Sequence, residues 1–424
     1  MSMTGLGKLS WVSVGRERQV RDLDATGAPT STGVPAISVD ERFEGTELTK
    51  YHLKIIATGS ETAATYQYSD DDGSTWSTTR TASTTWTEMS KGIGVLFGVG
   101  NYVITELWKV DVYPWGTKVT PTDSFGMLVG ESVKREAPPI FSNLLRRDQQ
   151  RHLPAIPGII SNGGTIPTEF QTEGAFGLIL YQLLGGYTYE VLNASPLVSK
   201  HTFYPSPEAN GFRLPEGLTF RMCKGGTATW DNFGSYINTL NFKQDINAIL
   251  MADIEIMGKD ADAADGEVGT PSYADYDVLS FAYANLDIDG VYQEVSNLNY
   301  TINHNLSGDK RALGTRSRVF IPAGGLDVTG SFNVEFDNLD LYNAYIGIVP
   351  ASLVATFTGS LITGAFYKKL TITTPKIVYT GDTPTVNNES VLTYDMPFEA
   401  KKDDDLDLDS VTIELINTDA AYIS

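Results

Sequence analysis

Between Tyr51 and Val112 apolar and polar residues alternate in short runs, YHLKIIATG, ATYQYSDDDGSTW, GIGVLFGVG and ELWKVDVYP, separated by Gly, Asp and Ser. A two-residue period bounded by turn formers predicts half-buried strands joined by tight hairpins. The run before it, GLGKLSWVSVGRE at 5–17, reads as an extended arm or first strand. The stretch ATGAPTSTGVPAI at 25–37 has the Gly, Pro, Ser and Thr content of a linker. The pattern therefore predicts an N-terminal arm at 1–17 and a small all-β module at 18–112, its core at about 38–112. Such a module sits near the lower size limit for an independent core.

Beyond it a pattern recurs. Gly164-Thr165-Ile166-Pro167-Thr168-Glu169-Phe170 and Gly330-Ser331-Phe332-Asn333-Val334-Glu335-Phe336 share Gly, Glu and Phe at one offset. Both alternate as half-buried strands do, with Phe332, Val334 and Phe336 on one face of the second copy. A helix is predicted after each. In the first, Thr172 and Glu173 precede GAFGLILYQLLGG, with a stripe of Leu180, Leu183 and Leu184 and a stop at Gly185-Gly186. In the second, Asp337 or Asn338 caps LDLYNAYIG, with Leu341, Tyr342, Tyr345 and Ile346 on one side. Each half closes on acidic alternation: Asp253 and Glu255 oppose Ala252, Ile254 and Ile256, and Thr412 and Glu414 oppose Val411, Ile413 and Leu415. The repeat predicts a tandem duplication, 113–268 and 269–424, of a small β-sandwich carrying one short helix. The fold class expected is mainly β, two such sandwiches plus a small inserted β-sandwich of immunoglobulin-like type.

Composition narrows the chemistry. The chain has 424 residues, 41% apolar and 20% charged, as a globular protein of two or three domains has. No apolar run approaches the ~20 residues of a membrane-spanning helix, and MSMTGLGKLSW lacks the apolar segment of a signal peptide. A single cysteine, Cys223, excludes an intrachain disulfide framework and suits synthesis in a reducing cytoplasm. The net charge of −21 argues against a grip on nucleic acid through phosphates, and is compatible with nucleic acid sliding past a repelling wall.

No catalytic, cofactor or metal site is predicted. The four histidines, His52, His152, His201 and His304, show no metal-ligand spacing, and His304 reads as a strand or surface residue. Asp260, Asp262 and Asp265 resemble a calcium loop, but Ala264 takes a ligand position and Pro271 stands where a bidentate Glu belongs; a solvated acidic loop is expected. Ser69, Asp71, Gly73, Thr75 and Trp76 match the S-x-D-x-G-x-T-W Asp-box of sialidases and other carbohydrate-active propellers. The box is a hairpin turn, with Asp and Ser bonding amides and Trp packing beneath. A propeller needs several copies, and this chain has one.

In its order of motifs the chain resembles the phage tail tube proteins of long-tailed phages. Gly15-Arg16-Glu17 and, much later, Tyr113-Pro114-Trp115-Gly116-Thr117-Lys118-Val119-Thr120-Pro121-Thr122 followed by Glu131-Ser132 look like one family opening split by an insertion. Residues 157–186, with their Gly-strand-LLGG order, and YINTLNFKQDINAILMADIEIMG at 236–258 resemble the first tube domain. VSNLNYTINHNL, VTGSFNVEF, KLTITTPKIVY and MPFEAKKD resemble the second. The resemblance implies a structural virion protein whose copies form stacked rings, the conduit for DNA ejection. With two tube units per chain, a trimeric ring of pseudo-six-fold symmetry is expected. It also implies contact with a tape measure protein and tail-end proteins, and DNA that passes without specific binding. Glu169, Asp253, Glu255, Glu335 and Glu414 are candidates for the tube lumen, and the inserted module is expected to decorate the surface. The competing expectation is a tail fibre or adhesin whose Asp-box module touches cell-surface glycans.

Overall fold

The computed structural model describes residues 10–26, 35–39, 47–104, 106–128, 130–141, 155–205, 214–266, 269–274, 277–308, 310–381, 383, 392–404 and 406–422. Residues 5–9 of the expected arm and 27–34 of the expected linker lie outside them. The protein is mostly β, and its chain divides into two units, Glu17–Thr117 and Met1–Arg16 with Lys118–Ser424.

In the smaller unit Val20–Thr26, Leu107–Val112, Thr49–Ala57, Thr65–Ser69 and Arg80–Thr81 form one antiparallel sheet in that spatial order. Pro35–Val39, Ile93–Phe97 and Thr87–Ser90 form a second. Alternation puts Tyr51, Leu53, Ile55, Tyr66, Phe97, Tyr102 and Trp108 into one shared core. Phe97 stacks edge-on against Tyr102 at 5.0 Å, a geometry favoured by the ring quadrupoles.

The larger unit is described with labels β1 (Trp11–Arg16), β2 (Asp123–Phe125), β3 (Lys134–Glu136), β4 (Ser161–Glu169), β5 (Gly185–Ala194), β6 (Leu197–Pro205), β7 (Leu218–Lys224), β8 (Ala228–Asp245), β9 (Met251–Gly258) and β10 (Asp260–Asp265). Its second half contains β11 (Ala284–Ile288), β12 (Val291–Tyr292), β13 (Val295–Asn303), β14 (Asp327–Glu335), β15 (Ala351–Thr363), β16 (Phe366–Tyr379), β17 (Thr393–Ala400) and β18 (Thr412–Asn417). Helix α1 (Ala175–Leu184) follows β4, and α2 (Asp340–Gly347) follows β14.

One order of strand pairings occurs twice. In the first half the chain of neighbours β2-β1-β7-β8-β10 makes one sheet and β3-β4-β9-β8 another. In the second, β12-β11-β15-β16-β18 and β13-β14-β17-β16 repeat that order strand for strand. The long strands β8 and β16 each serve both sheets of their half, and β8 does so through a register shift between Ile237 and Thr239. A bulge bends and twists a strand, which lets it leave one sheet and enter the next. Among the described residues the β5–β6 hairpin has no counterpart in the second half.

Among the described residues two strand ladders join the halves, beside single bridges such as Ile249 to Ser280. Thr239–Asp245 of β8 pairs with Asn297–Asn303 of β13, and Ser199–Phe203 of β6 pairs with Ile413–Asn417 of β18. Behind the second seam lies a buried polar network. His201 Nε2 and Asn417 Oδ1 are 2.9 Å apart, and Asn417 Nδ2 donates to the Thr172 carbonyl at 2.7 Å. Burial pushes the His201 imidazole down to about 4. The Glu173 carboxylate and Lys368 ammonium form a buried ion pair at 3.1 Å, also between halves.

Three sequence expectations change. The N-cap of α2 is Leu339, with no side-chain cap bond, in place of Asp337 or Asn338, although Asn338 Oδ1 accepts the Asp340 N–H at 2.9 Å. The acidic run at 260–265 is a paired edge strand, and Lys118 and Arg135 bond Asp262 and Asp260. His304 is fully buried beside the Leu183 carbonyl, and burial lowers its imidazole to about 4. It follows β13 on the strand's buried alternation, in line with Leu298, Tyr300 and Ile302.

Candidate functional site

Strands β4, β9, β8, β13, β14 and β17 lie side by side, all antiparallel. Directly opposed residues share a face of a sheet, so register alone decides what that face displays. One face is apolar: Ile166, Ile254, Leu240, Phe242, Leu298, Tyr300, Ile302, Phe332 and Phe398 are buried in the main core. The other face is mostly polar in both halves, with Pro167, Met251, Met257 and Pro397 as its apolar members, and it continues through the β8–β13 seam.

Its middle rows are hydrogen-bonding and neutral apart from Lys243. Asn241 faces Thr301 and Lys243 faces Asn299, while Asn299 faces Ser331 and Asn297 faces Asn333. Its charged members are Glu169, Asp253, Glu255, Asp245, Asp327, Glu335, Asp395 and Glu399, against Lys243 alone on the six strands. Lys243 Nζ reaches Asp253 at 2.6 Å. Most of the other carboxylates with a close partner take neutral donors. Glu255 accepts from Asn238 at 2.9 Å and Thr239 at 2.8 Å. Asp327 accepts from Asn305 at 2.7 Å, and Asp395 from Asn333 at 2.6 Å. Amide and hydroxyl donors fix a carboxylate's direction without cancelling its charge, so the face stays ordered and negative. Glu399 is the exception, meeting Lys401 at 2.7 Å.

The structure brings Glu169, Asp253, Glu255 and Glu335 onto this one face. It places Glu414 elsewhere, on β18 in the other sheet, where Lys200 meets it at 2.8 Å. Sequence reasoning missed Asp245, Asp327, Asp395 and Glu399. The period-two Asn-Asn-Thr-Asn row of β13 was the available signal, because it shows a strand whose outward face is polar throughout.

The Asp-box hairpin lies in the smaller unit. Asp71 Oδ1 accepts from the Thr75 N–H at 2.8 Å and from Ser69 Oγ at 2.7 Å, and Oδ2 accepts from Thr75 Oγ1 at 2.7 Å. These bonds hold the Asp71 carboxyl down to about 2. Gly73 turns at φ 83 and donates its N–H to Ser69 Oγ at 2.9 Å. Lys54 Nζ sits 3.6 Å above the half-buried Trp76 ring, a cation–π contact that closes the turn. Every group is spent on the turn itself. Among the described residues no three His, Cys, Asp or Glu side chains cluster to hold a metal ion, and no helix is long and apolar enough to cross a membrane.

The comparison with known proteins points the same way as the sheet. No curated protein matches the chain, but the model of one family, described as phage tail tube protein, matches residues 109–400. That match takes in all six strands of the polar face. With well over half its length covered, the chain belongs to the phage tail tube protein family and is a structural component of the virion's tail.

Proposed function

We propose that copies of this chain close into rings that stack as the tail tube, the conduit through which DNA leaves the virion, and that the polar face lines its lumen. The observation that carries this reading is the continuous polar sheet built from two halves with one strand order. We read those halves, 113–268 and 269–424, as tube domains in tandem. Glu169, Asp253, Glu255 and Glu335 then face the channel, joined by Asp245, Asp327 and Asp395. A negative wall with Lys243 as the one cation of its six strands, and that already paired with Asp253, repels phosphates and gives them few places to bind.

Strand spacing argues for three copies. Each chain offers eight strands to an inner barrel, the six above flanked by β3 and the end of β16. At ~4.8 Å between strands and ~40° tilt, one copy would close at a backbone diameter of roughly 16 Å, two at roughly 32 Å and three at roughly 48 Å. Inward side chains fill the first and crowd the second. The third leaves a channel wider than a DNA duplex, and also gives the pseudo-six-fold ring that two domains per chain suggest. Closure of the barrel removes the sheet edges that would otherwise invite disordered pairing.

The smaller unit, Glu17–Thr117, interrupts the chain between β1 and β2. Both strands belong to the sheet that does not carry the polar face, so we assign the insert to the tube exterior as a decoration. Assembly takes place in the host cytoplasm, around a tape measure protein, with tail-end proteins closing the tube. Single-particle microscopy of the purified protein under assembly conditions tests the reading: tubes with an open channel are expected. A dispersed monomer under all conditions overturns it. A glycan array with the intact protein tests the adhesin alternative, and binding abolished by substitutions in the insert would add that role.

A further inference from the structure

The two helices occupy the same place in the two halves but are treated differently. Nine of the ten residues of α1 are buried, and part of the cover comes from the other half. The Tyr422 ring lies over Gly177, and the Asp419 carboxylate accepts the Gly174 N–H at 2.7 Å. No residue of α2 is buried. Leu339, Tyr342, Ile346 and Val349 recur at helical spacing as one apolar ridge, with Leu339 at 55%, Ile346 at 59% and Val349 at 52% exposure. At the end of α2, Ile348 holds φ 50 in the left-handed region while exposed to water. That conformation is the left-handed cap that ends the helix, with the Val349 N–H donating to the Ala344 carbonyl at 2.9 Å, and it leaves the Ile348 side chain in water.

The chain itself shows what fits such a surface. On the side where α1 lies, the second half docks β13 on the β8 edge of the first half and β18 on β6 of its hairpin. The counterparts of β13 and β18 in the first half are β3 and β10. Among the described residues β3 pairs only with β4, and β10 only with β8, so that side of the first half has open edges. Charge on that side is mixed, Lys134 and Arg135 standing with Glu136, Asp260, Asp262 and Asp265, so the apolar ridge and the open edges carry the fit.

We infer that α2 of one copy is covered by the β3–β10 side of a second copy's first half, repeating between copies the β8–β13 part of the junction made within the chain; the β6–β18 part is not repeated, because the second half has no hairpin equivalent to β5–β6 among the described residues. The inference rests on the ring reading and names the interface that propagates the ring. In the ring every ridge is buried and every β3 edge meets a neighbour.

The test substitutes Ile346→Asp, with Val99→Asp as a control, since Val99 is an apolar residue of the insert at 87% exposure. Assembly is followed by sedimentation against concentration, and hydroxyl-radical footprinting of the unsubstituted protein reads Tyr342 before and after assembly. Ile346→Asp should keep the circular dichroism and melting curve of the parent monomer yet raise the critical assembly concentration at least tenfold. Val99→Asp should leave it unchanged, and Tyr342 should become protected on assembly. If Ile346→Asp disturbs the melt, Tyr342 protection decides. Parent tubes in which Tyr342 is labelled as in the monomer, or unaltered assembly of Ile346→Asp, overturn this interface while leaving the ring reading standing. A parent protein that forms no ring at all overturns both.

Discussion

The ion pair between Glu173 and Lys368 offers a direct measure of how firmly the two halves are joined. Both side chains are almost inaccessible, at 4% and 6%, and their charged atoms stand 3.1 Å apart. Thr418 Oγ1 adds a bond to Glu173 Oε1 at 2.7 Å. The variant Lys368→Met keeps the length and packing of the stem but strands a carboxylate in the interior without its cation. Removing one partner of a buried pair costs about 3–5 kcal/mol, because the charge left behind has lost both water and its counterion. For a unit of this size that corresponds to a fall in Tm of roughly 5–10 °C, scaling from ~2–4 °C per kcal/mol in smaller domains. Replacing both groups, Glu173→Gln with Lys368→Met, removes the stranded charge and should recover most of the loss. The assay is urea and thermal unfolding of the unassembled protein at pH 7, followed by near-ultraviolet circular dichroism. A single variant within ~0.5 kcal/mol of the parent, or a double variant less stable than Lys368→Met, would refute the reasoning.

Other outcomes follow from the same geometry. His201 and His304 are buried neutral with imidazoles lowered to about 4, so the unfolded chain takes up their protons first as pH falls. Their stabilisation is complete above about 6.5 and is lost progressively towards about 4. Urea midpoints between pH 7 and pH 4 should therefore fall less steeply in His201→Gln than in the parent, and parallel curves would contradict this. Asn417→Ala removes buried bonds to Thr172 and His201 and should cost about 1–3 kcal/mol by chemical denaturation; a change within error would show the seam to be carried by β-pairing alone. Asp71→Ala should loosen the 70–76 turn, read as new proteolytic cleavage there, with unfolding of the larger unit unchanged. Reversing charge with Glu255→Lys and Asp395→Lys should leave tubes intact but slow DNA release severalfold at low salt, less so at high salt where screening shortens to ~3 Å. Release at the parent rate would remove these positions from the lumen.

Much of the fold was legible in the chain because alternation is a local signal. The runs that became β4, β9, β14 and β18 had one apolar and one polar face in the sequence, and burial followed those faces. The helices were legible from LILYQLLGG and LDLYNAYIG, since four-residue apolar spacing is equally local. What stayed hidden was long-range. Nothing near Glu414 shows that β18 joins the sheet away from the polar face, because that depends on pairing with β6 more than two hundred residues away. The acid run at 260–265 looked like a loop because four of its six residues are exposed, yet an edge strand satisfies its backbone on one side only and tolerates such exposure. Nothing near Glu173 shows that a lysine from the other half pairs with it, because Lys368 lies almost two hundred residues away. The polar face itself was visible only piecemeal: each strand showed its own row, and the register of six strands was needed to join the rows into a surface.

The central claim is that this surface lines a tube, and a cryo-electron microscopy reconstruction of assembled protein tests it most directly. The account predicts stacked rings of three chains around an open channel, with Glu255 and Asp253 facing the channel, α2 buried between copies and the insert outside. A ring of six chains, or a wall with the polar face turned outward and the apolar ridge of α2 lining the bore, would contradict it.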